Sequence, residues 1–402
     1  MARRNGGFIG TDGLDAPDPP TAITPTAGDA QLSVAFTAPT DTGTSAITGF
    51  VAQVSTDGTA YSAGSGTGTS SPIVVSSLTN GTAYTAKVWA INAYGTSSPS
   101  DASGSVTALG DRALFTYYTG GKIYGNTFNI STTSNATDFG NTSVSSVQYA
   151  GGFSSHSRAV VAADDGTTSS AINYTTISTT GSWATFGRLF SSATSSFTGA
   201  SNSITGLIFG GRSNATDEIE SLTIATLGNA TSFGSLTVSR GMGGACASST
   251  RALFAGGGPD YSDPKNTIDY VTIASSGNAV DFGNLTANTY GLTGTGSSTR
   301  GLFAGGNSSS DGSAYLNVIQ YVTIASTGNA SDFGDLTVAR QYFGATSNAT
   351  RAVFGGGNPP GAFSNVIDYV TIASTGNASD FGDLNAAKQG YVGMSQCHGG
   401  LS

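Results

Sequence analysis

Apolar and polar residues alternate with a period of two along much of this chain. In Gln31-Leu32-Ser33-Val34-Ala35-Phe36, in Ile47-Thr48-Gly49-Phe50-Val51-Ala52-Gln53-Val54 and in Tyr84-Thr85-Ala86-Lys87-Val88-Trp89-Ala90-Ile91, residues alternate between an inward and an outward face. Such alternation marks half-buried strands. No long stretch carries apolar residues at three- and four-residue spacing, and strong helix formers are sparse, so the pattern predicts an all-β chain. Composition sharpens this. Charged residues make up only 10% of the 402 positions while glycine fills 58 of them. Short strands joined by tight turns follow, because glycine supplies positive φ and Ser, Thr and Asn close turns through local hydrogen bonds.

A second periodicity organises the larger part. Arg112-Ala113-Leu114-Phe115, Arg158-Ala159-Val160-Val161, Gly206-Leu207-Ile208-Phe209, Arg251-Ala252-Leu253-Phe254, Arg300-Gly301-Leu302-Phe303 and Arg351-Ala352-Val353-Phe354 align as six equivalent starts, spaced 46, 48, 45, 49 and 51 residues apart. A period of 40 to 50 residues with several strands per unit marks a propeller blade. Each unit continues with a Gly-Gly pair such as Gly256-Gly257, a strand such as Ile268-Asp269-Tyr270-Val271-Thr272-Ile273, and a Ser-Gly-Asn-Ala or Thr-Gly-Asn-Ala turn. Asp281-Phe282-Gly283 or its counterpart then leads to a leucine and, in some units, a base such as Arg240, Arg340 or Lys388. The first two units are less regular, with Thr119-Gly120-Gly121 and Asp164-Asp165-Gly166 at the Gly-Gly position.

These features carry two resemblances. The Gly-Gly pair, the third-strand aromatic and the fourth-strand Phe resemble the kelch repeat over about 290 residues, with Phe where that family has Trp. Residues 18–109 resemble a fibronectin type III domain through Pro19-Pro20, Leu78 followed by Asn80-Gly81-Thr82-Ala83-Tyr84, and Ala90-Ile91-Asn92-Ala93-Tyr94-Gly95. That resemblance puts Tyr84 at the tyrosine corner, its hydroxyl bonding to the chain just upstream, and Phe36 in place of the usual core Trp. The expected organisation is an extended arm over 1–17, a fibronectin type III-like β-sandwich over 18–109 and a six-bladed kelch-like β-propeller over 110–402. The strand order predicts how the ends join. The Arg112 strand has no first strand before it, whereas Lys388 to Cys397 aligns with the first strand Arg340 to Ala349 and has no second strand after it. Pairing the two closes the propeller with the C-terminal strand and removes an unpaired edge.

Charge and chemistry narrow the function. The net charge of −9 disfavours nucleic acid, which needs clustered Lys and Arg. No run of about 18 apolar residues is present to span a bilayer, and no apolar stretch follows Arg3 and Arg4, so neither membrane insertion nor an export signal is expected. Asp-Phe-Gly matches the magnesium motif of kinases, but it recurs at blade period without a phosphate loop, so each Phe reads as core, each Gly as turn and each Asp as a turn-bonding residue. With only His156 and His398, and Cys246 outside any comparable cluster, no metal site is expected, and neither are cofactors or catalytic residues. Cys246 and Cys397 fall half a propeller apart, too far for a disulfide.

The arrangement of a low-charge, Gly-, Ser-, Thr- and Asn-rich repeat array behind a fibronectin-like module resembles structural proteins of tailed bacteriophages. It implies a non-enzymatic virion protein, assembled in the host cytoplasm in several copies, that decorates the particle or attaches it to a host. The alternative is an adhesin or polysaccharide-binding protein on the bacterial cell surface. The arm, with Arg3, Arg4, Phe8 and Ile9, reads either as a disordered tail or as an anchor that orders on other virion proteins. Tyr117, Tyr118, Tyr261, Tyr315 and Phe363 fall in or near inter-strand connections and are candidates for contact with a host glycan or a partner protein.

Overall fold

A computed structural model describes residues 15–396 apart from positions 29, 81, 109, 144–147, 165–170, 180, 191–195, 212–215 and 310. Arg3, Arg4, Phe8 and Ile9 of the arm, together with Asp165, Gly166, Cys397 and His398, lie outside the described residues. The described chain is all-β, and its contacts divide it into two units at Gly110–Asp111.

In the first unit, strands Thr21–Gly28, Gln31–Thr37 and Ile73–Ser76 form one antiparallel sheet. Gly64–Gly68, Ile47–Ser55, Ala83–Asn92 and Gly95–Thr96 form another, and Val106–Thr107 also pairs with Ala83–Asn92. The period-two pattern is realised in the burial. Tyr84, Ala86, Val88 and Ala90 turn inward and meet Leu32, Val34, Phe36, Phe50 and Val54 in one core. Phe36 packs its ring against Phe50 at 4.7 Å, so the aromatic at this position is a core residue. The buried Tyr84 hydroxyl accepts the Thr79 N–H at 3.1 Å, the upstream bond expected of it. Asp15 and Ala16, assigned to the arm from sequence, are tied to this unit. The Asp15 carbonyl accepts from Thr44 N–H at 3.2 Å and from Asn92 Nδ2 at 2.9 Å, and Ala16 is buried.

The second unit is propeller-like, and its described residues form six four-stranded antiparallel sheets. The first consists of Val392–Ser395, Arg112–Thr119, Lys122–Asn129 and Thr137–Ser143; the second of Gln148–Ser154, Arg158–Asp164, Ala171–Thr176 and Ala184–Arg188. The third consists of Thr198–Ser201, Thr205–Gly211, Thr216–Thr223 and Thr231–Ser235; the fourth of Gly244–Ala247, Arg251–Ala255, Thr267–Thr272 and Val280–Asn284. The fifth consists of Thr293–Gly296, Arg300–Ala304, Val318–Thr323 and Ser331–Asp335; the sixth of Gly344–Ser347, Arg351–Gly355, Val366–Thr371 and Ser379–Asp383. The strand named first in each sheet is innermost, and these inner strands touch one another in cyclic order, the sixth meeting the first. The C-terminal strand lies beside Arg112–Thr119, with Gly393 opposite Phe115 and Met394 opposite Leu114. This is the pairing that the strand order predicts.

Inner strands are built from small residues because their backbones crowd at the hub. A Cβ on Gly294 would come within 2.5 Å of the Ala245 carbonyl, and one on Gly393 would collide with the Ala345 carbonyl. Outside the hub the sheets are apolar. Phe115, Phe254, Phe303 and Phe354 on the second strands are fully buried, and so are Ile268, Ile319 and Ile367 on the third. The outer-strand Phe139, Phe186, Phe233, Phe282, Phe333 and Phe381 are also buried, as expected of the Asp-Phe-Gly segment. Asp138 bonds its turn, accepting from Gly140 N–H at 3.0 Å, whereas Asp281, Asp332 and Asp380 are exposed. One alignment is corrected by the register. Thr205 pairs with Thr223 as Arg251 pairs with Thr272, so Thr205, not Gly206, is the third-sheet equivalent of the arginines.

Two sets of polar side chains join neighbouring sheets. Each second-strand arginine reaches the turn after the third strand of the next sheet. Arg112 donates to the carbonyls of Ile177 and Ser178, Arg158 to Ile224 and Ala225, Arg251 to Ile324 and Ala325, Arg300 to Ile372, and Arg351 to Ile130 and Ser131, all at 2.7–3.2 Å. A buried polar residue recurs on the third strand at Asn126, Asn173, Glu220, Asp269, Gln320 and Asp368. Five of these accept the backbone N–H that follows the outer-strand leucine of the preceding sheet: Asn385, Phe190, Thr237, Thr286 and Thr337 donate to Asn126, Glu220, Asp269, Gln320 and Asp368 respectively, at 2.7–3.3 Å. Each bond serves a buried acceptor that would be costly to leave unpaired.

Candidate functional site

Antiparallel pairing brings two kinds of connection to the same end of the second unit: second strand to third, and outer strand to the next inner strand. All five aromatic candidates named from sequence fall at this end. Tyr117 and Tyr118 close the second strand of the first sheet, and Tyr261, Tyr315 and Phe363 lie in the second-to-third-strand connections of the fourth, fifth and sixth sheets.

The structure groups them with aromatics that the sequence did not single out. Tyr117 stacks on Tyr124 at 5.2 Å with planes 12° apart and meets Tyr391 edge-on at 5.1 Å. Tyr261 packs on Tyr290 at 5.2 Å, and Tyr290 on Tyr342 at 6.5 Å. Tyr118 instead turns into the core of the first sheet beside Ile123 and Val161. Tyr315 is bridged to Asn307, and Phe363 stands 47% exposed; neither has a ring partner among the described residues. Tyr124, Tyr290, Tyr342 and Tyr391 gave no signal as a set, because each sits in a strand or a tight turn at a position that reads as core.

Between the two tyrosine groups lies a cavity of about 100 Å³ on the hub axis, lined by Phe197, Met242, Leu292, Tyr342, Phe343 and Tyr391 with hub glycines. Its mouth is built by backbone. Ser196, Met242, Gly291, Tyr342 and Gly390 occupy the same turn position, with φ between 56° and 72°. Met242 N–H donates to the Ser196 carbonyl, Gly291 to Met242, Tyr342 to Gly291 and Gly390 to Tyr342, all at 2.7–2.8 Å. This chain of bonds holds Met242 and Tyr342 in a left-handed conformation that residues other than glycine seldom adopt. Above it the Tyr342 hydroxyl donates to Met242 Sδ at 3.7 Å.

The electrostatics of the unit lie elsewhere. Arg240 and Arg340 are fully buried and pair with Asp269 at 2.9 Å and Asp368 at 2.7 Å. Burial pushes both guanidinium groups below their ordinary range and pushes the Asp368 carboxyl up, with Arg340 offsetting part of that rise. At the other end of the hub, serine hydroxyls link inner strands: Ser201 donates to the Ser154 carbonyl, Ser154 to Ser395 and Ser395 to Ser347, at 2.8–3.0 Å. His156 borders this belt, donating from Nδ1 to the Gln396 carbonyl at 3.2 Å, and burial lowers its pKa. Burial raises the Cys246 thiol to about 12, which leaves it protonated and unreactive at neutral pH. Among the described residues, no group of three or more His, Cys, Asp or Glu converges as metal ligands do.

No protein-family model matches the chain, and no curated protein does. Among solved structures it is similar to one titled "Structure of YjhT", with a TM-score of 0.50 and 9% identity over 62% of this chain and 87% of that one. At that identity the likeness is one of fold.

Proposed function

We propose that this chain is a non-enzymatic structural and attachment component of a bacteriophage particle. It combines a fibronectin type III-like sandwich with a six-bladed kelch-like propeller closed by its C-terminal strand. In this reading the arm over residues 1–17 anchors the protein to other virion proteins, and the aromatic end of the propeller meets a host-surface glycan or a partner protein. The observation that carries the reading is the pair of tyrosine groups flanking a neutral axial cavity, Tyr117–Tyr124–Tyr391 and Tyr261–Tyr290–Tyr342. Tyr117, Tyr124, Tyr261 and Tyr342 are partly exposed and are backed by the buried Tyr391 and Tyr290, and partly exposed rings stack on sugar faces and on side chains alike. The buried arginines and carboxylates nearby are engaged in joining sheets and are not turned toward a substrate.

Mass spectrometry of purified particles from the source tests the placement directly. The expected result is this chain in several copies per particle, and its absence would overturn the assignment. Deleting residues 1–14 is expected to leave thermal unfolding unchanged while abolishing incorporation into particles. Normal incorporation of the shortened protein would remove the anchoring role.

A further inference from the structure

One sheet departs from the other five at a single place. In the first, second, fourth, fifth and sixth sheets the second strand opens with an arginine whose guanidinium reaches the next sheet. In four of these the guanidinium also lies over a third-strand tyrosine: Arg158 over Tyr174, Arg251 over Tyr270, Arg300 over Tyr321 and Arg351 over Tyr369, at 4.4–4.8 Å. The third sheet has Thr205 in place of the arginine and Ser221 in place of the tyrosine, by strand register. The carbonyls that would accept the missing guanidinium are those of Ile273 and Ala274 in the fourth sheet, the counterparts of Ile324 and Ala325. Among the described residues no side chain donates to them.

The space is open. A cavity of about 400 Å³ lies there, lined by Thr205, Ser221, Ile273, Ser276, Phe233 and Leu227 among others. Leu227 on its lining and Ile204, which precedes the lining residue Thr205, depart from the repeat as well. Ile204 stands where the first sheet has Asp111 and the other four have Ser157, Thr250, Thr299 and Thr350, and Leu227 stands where the next three turns have Ser276, Thr327 and Thr375. These two side chains are 63% and 57% exposed. The third repeat alone thus lacks the arginine and carries apolar residues at 204 and 227, and it shares only the loss of the ring with the first repeat, where Thr127 holds the tyrosine position. Exposed apolar groups at a recess are the mark of an interaction site.

We propose that this recess is a socket for an arginine side chain presented by a partner polypeptide. The incoming guanidinium would take the position that the chain's own arginines hold in the five other sheets, donating to the carbonyls of Ile273 and Ala274, while apolar neighbours of that arginine cover Ile204 and Leu227. In the five other sheets one terminal nitrogen, Nη1, makes these bonds, and a guanidinium, more weakly hydrated than a compact lysine ammonium, gives up its water more readily on entering such a recess. The inference stands on the repeat comparison alone and is independent of the virion reading.

The test is an amide NMR titration of the full chain with acetyl-Leu-Arg-Leu-amide and its lysine and citrulline counterparts. The arginine peptide is expected to shift the Thr205, Ser221 and Ala274 amides saturably, and the other two to bind at least about tenfold more weakly. Thr205→Arg/Ser221→Tyr, which supplies the missing pair from within, is expected to abolish the saturable shift. Ile204→Thr/Leu227→Ser changes only exposed positions to the residue types of the other repeats, and is expected to weaken binding about fivefold with the fold intact. Absence of saturable binding, equal binding of the lysine peptide, or undiminished binding by either variant would overturn the proposal.

Discussion

At the scale of single residues, the buried third-strand position shows one structural problem solved in two ways within one chain. Asp368 accepts from Thr337 N–H and Oγ1 and pairs with Arg340, and Asp269 does the same with Thr237 and Arg240. In the fifth sheet the equivalent residue is the neutral Gln320, which accepts from Thr286 N–H at 2.7 Å, and the residue equivalent to the arginine is the fully buried Thr289. In these three sheets acid goes with arginine and amide with threonine, because a buried charge is costly unless it lies beside a counter-charge. Arg340→Thr alone should therefore destabilise the propeller-like unit by about 3–5 kcal/mol, through the stranded Asp368 carboxylate. Arg340→Thr/Asp368→Gln copies the fifth-sheet solution and should recover more than half of that loss. Urea unfolding of the four proteins of this cycle measures both values. A double variant no more stable than Arg340→Thr would show that the sheets do not share one design.

At the scale of elements, the four-residue strand Val392–Ser395 completes the first sheet, and its Val392 and Met394 side chains enter the core with Leu114, Ile123 and Val161. Without it the Arg112–Thr119 strand would present an unpaired edge, and the sixth and second inner strands would lose the neighbour between them. Truncation after Asn385 should thus abolish the cooperative unfolding transition of the whole unit or cause aggregation. A soluble fragment with unchanged melting would mean that this strand is dispensable. The strand itself was legible from sequence, because its Gly-rich run copies the Arg340 to Ala349 segment and the repeat order leaves one partner free. The third repeat was less legible: Gly206-Leu207-Ile208-Phe209 is apolar throughout, so its pattern fits either of two registers, and only pairing with Thr216–Thr223 shows that Thr205 holds the arginine position. The candidate site was half legible for a related reason. Tyr117, Tyr261 and Phe363 stand at connections and read as surface, whereas Tyr342 and Tyr391 are brought to the axis by turns whose left-handed backbone has no signature in Tyr or Met.

At the scale of the whole molecule, the boundary at Gly110–Asp111 separates two sets of cores, since the buried cluster around Leu32 and Val88 contains no residue beyond Ala108. The first unit closes late in its sequence: Val106–Thr107 pairs with Ala83–Asn92, and Ala108 N–H donates to the Thr82 carbonyl at 3.0 Å. The second unit opens with a residue already bonded to both ends of its sheet array. Asp111 is buried, its Oδ2 accepts from Ser131 N–H at 2.7 Å, its Oδ1 accepts from Asn348 Nδ2 at 2.7 Å, and its carbonyl accepts from Ile130 N–H at 2.9 Å. Asn348 follows the inner strand of the sixth sheet and Ser131 the third strand of the first, so this one carboxylate ties together the two sheets where the beginning and the end of the unit come together. Cores that share no buried residue among the described ones should unfold separately, and the position of the cut should matter more than its distance from any strand. A fragment of residues 111–402 should melt in one cooperative transition at the temperature of the corresponding transition in the intact chain. A fragment of residues 112–402, shorter by Asp111 alone, should melt lower, because the Ile130 amide then loses its acceptor while the Ser131 amide and Asn348 keep only their longer bonds to Asn129 Oδ1 and Ser131 Oγ, at a cost of about 1–3 kcal/mol. Scanning calorimetry of the intact chain and both fragments decides it: equal melting of the two fragments would show that Asp111 is not the lock of the unit, and a lowered transition in both would show that the two units depend on one another.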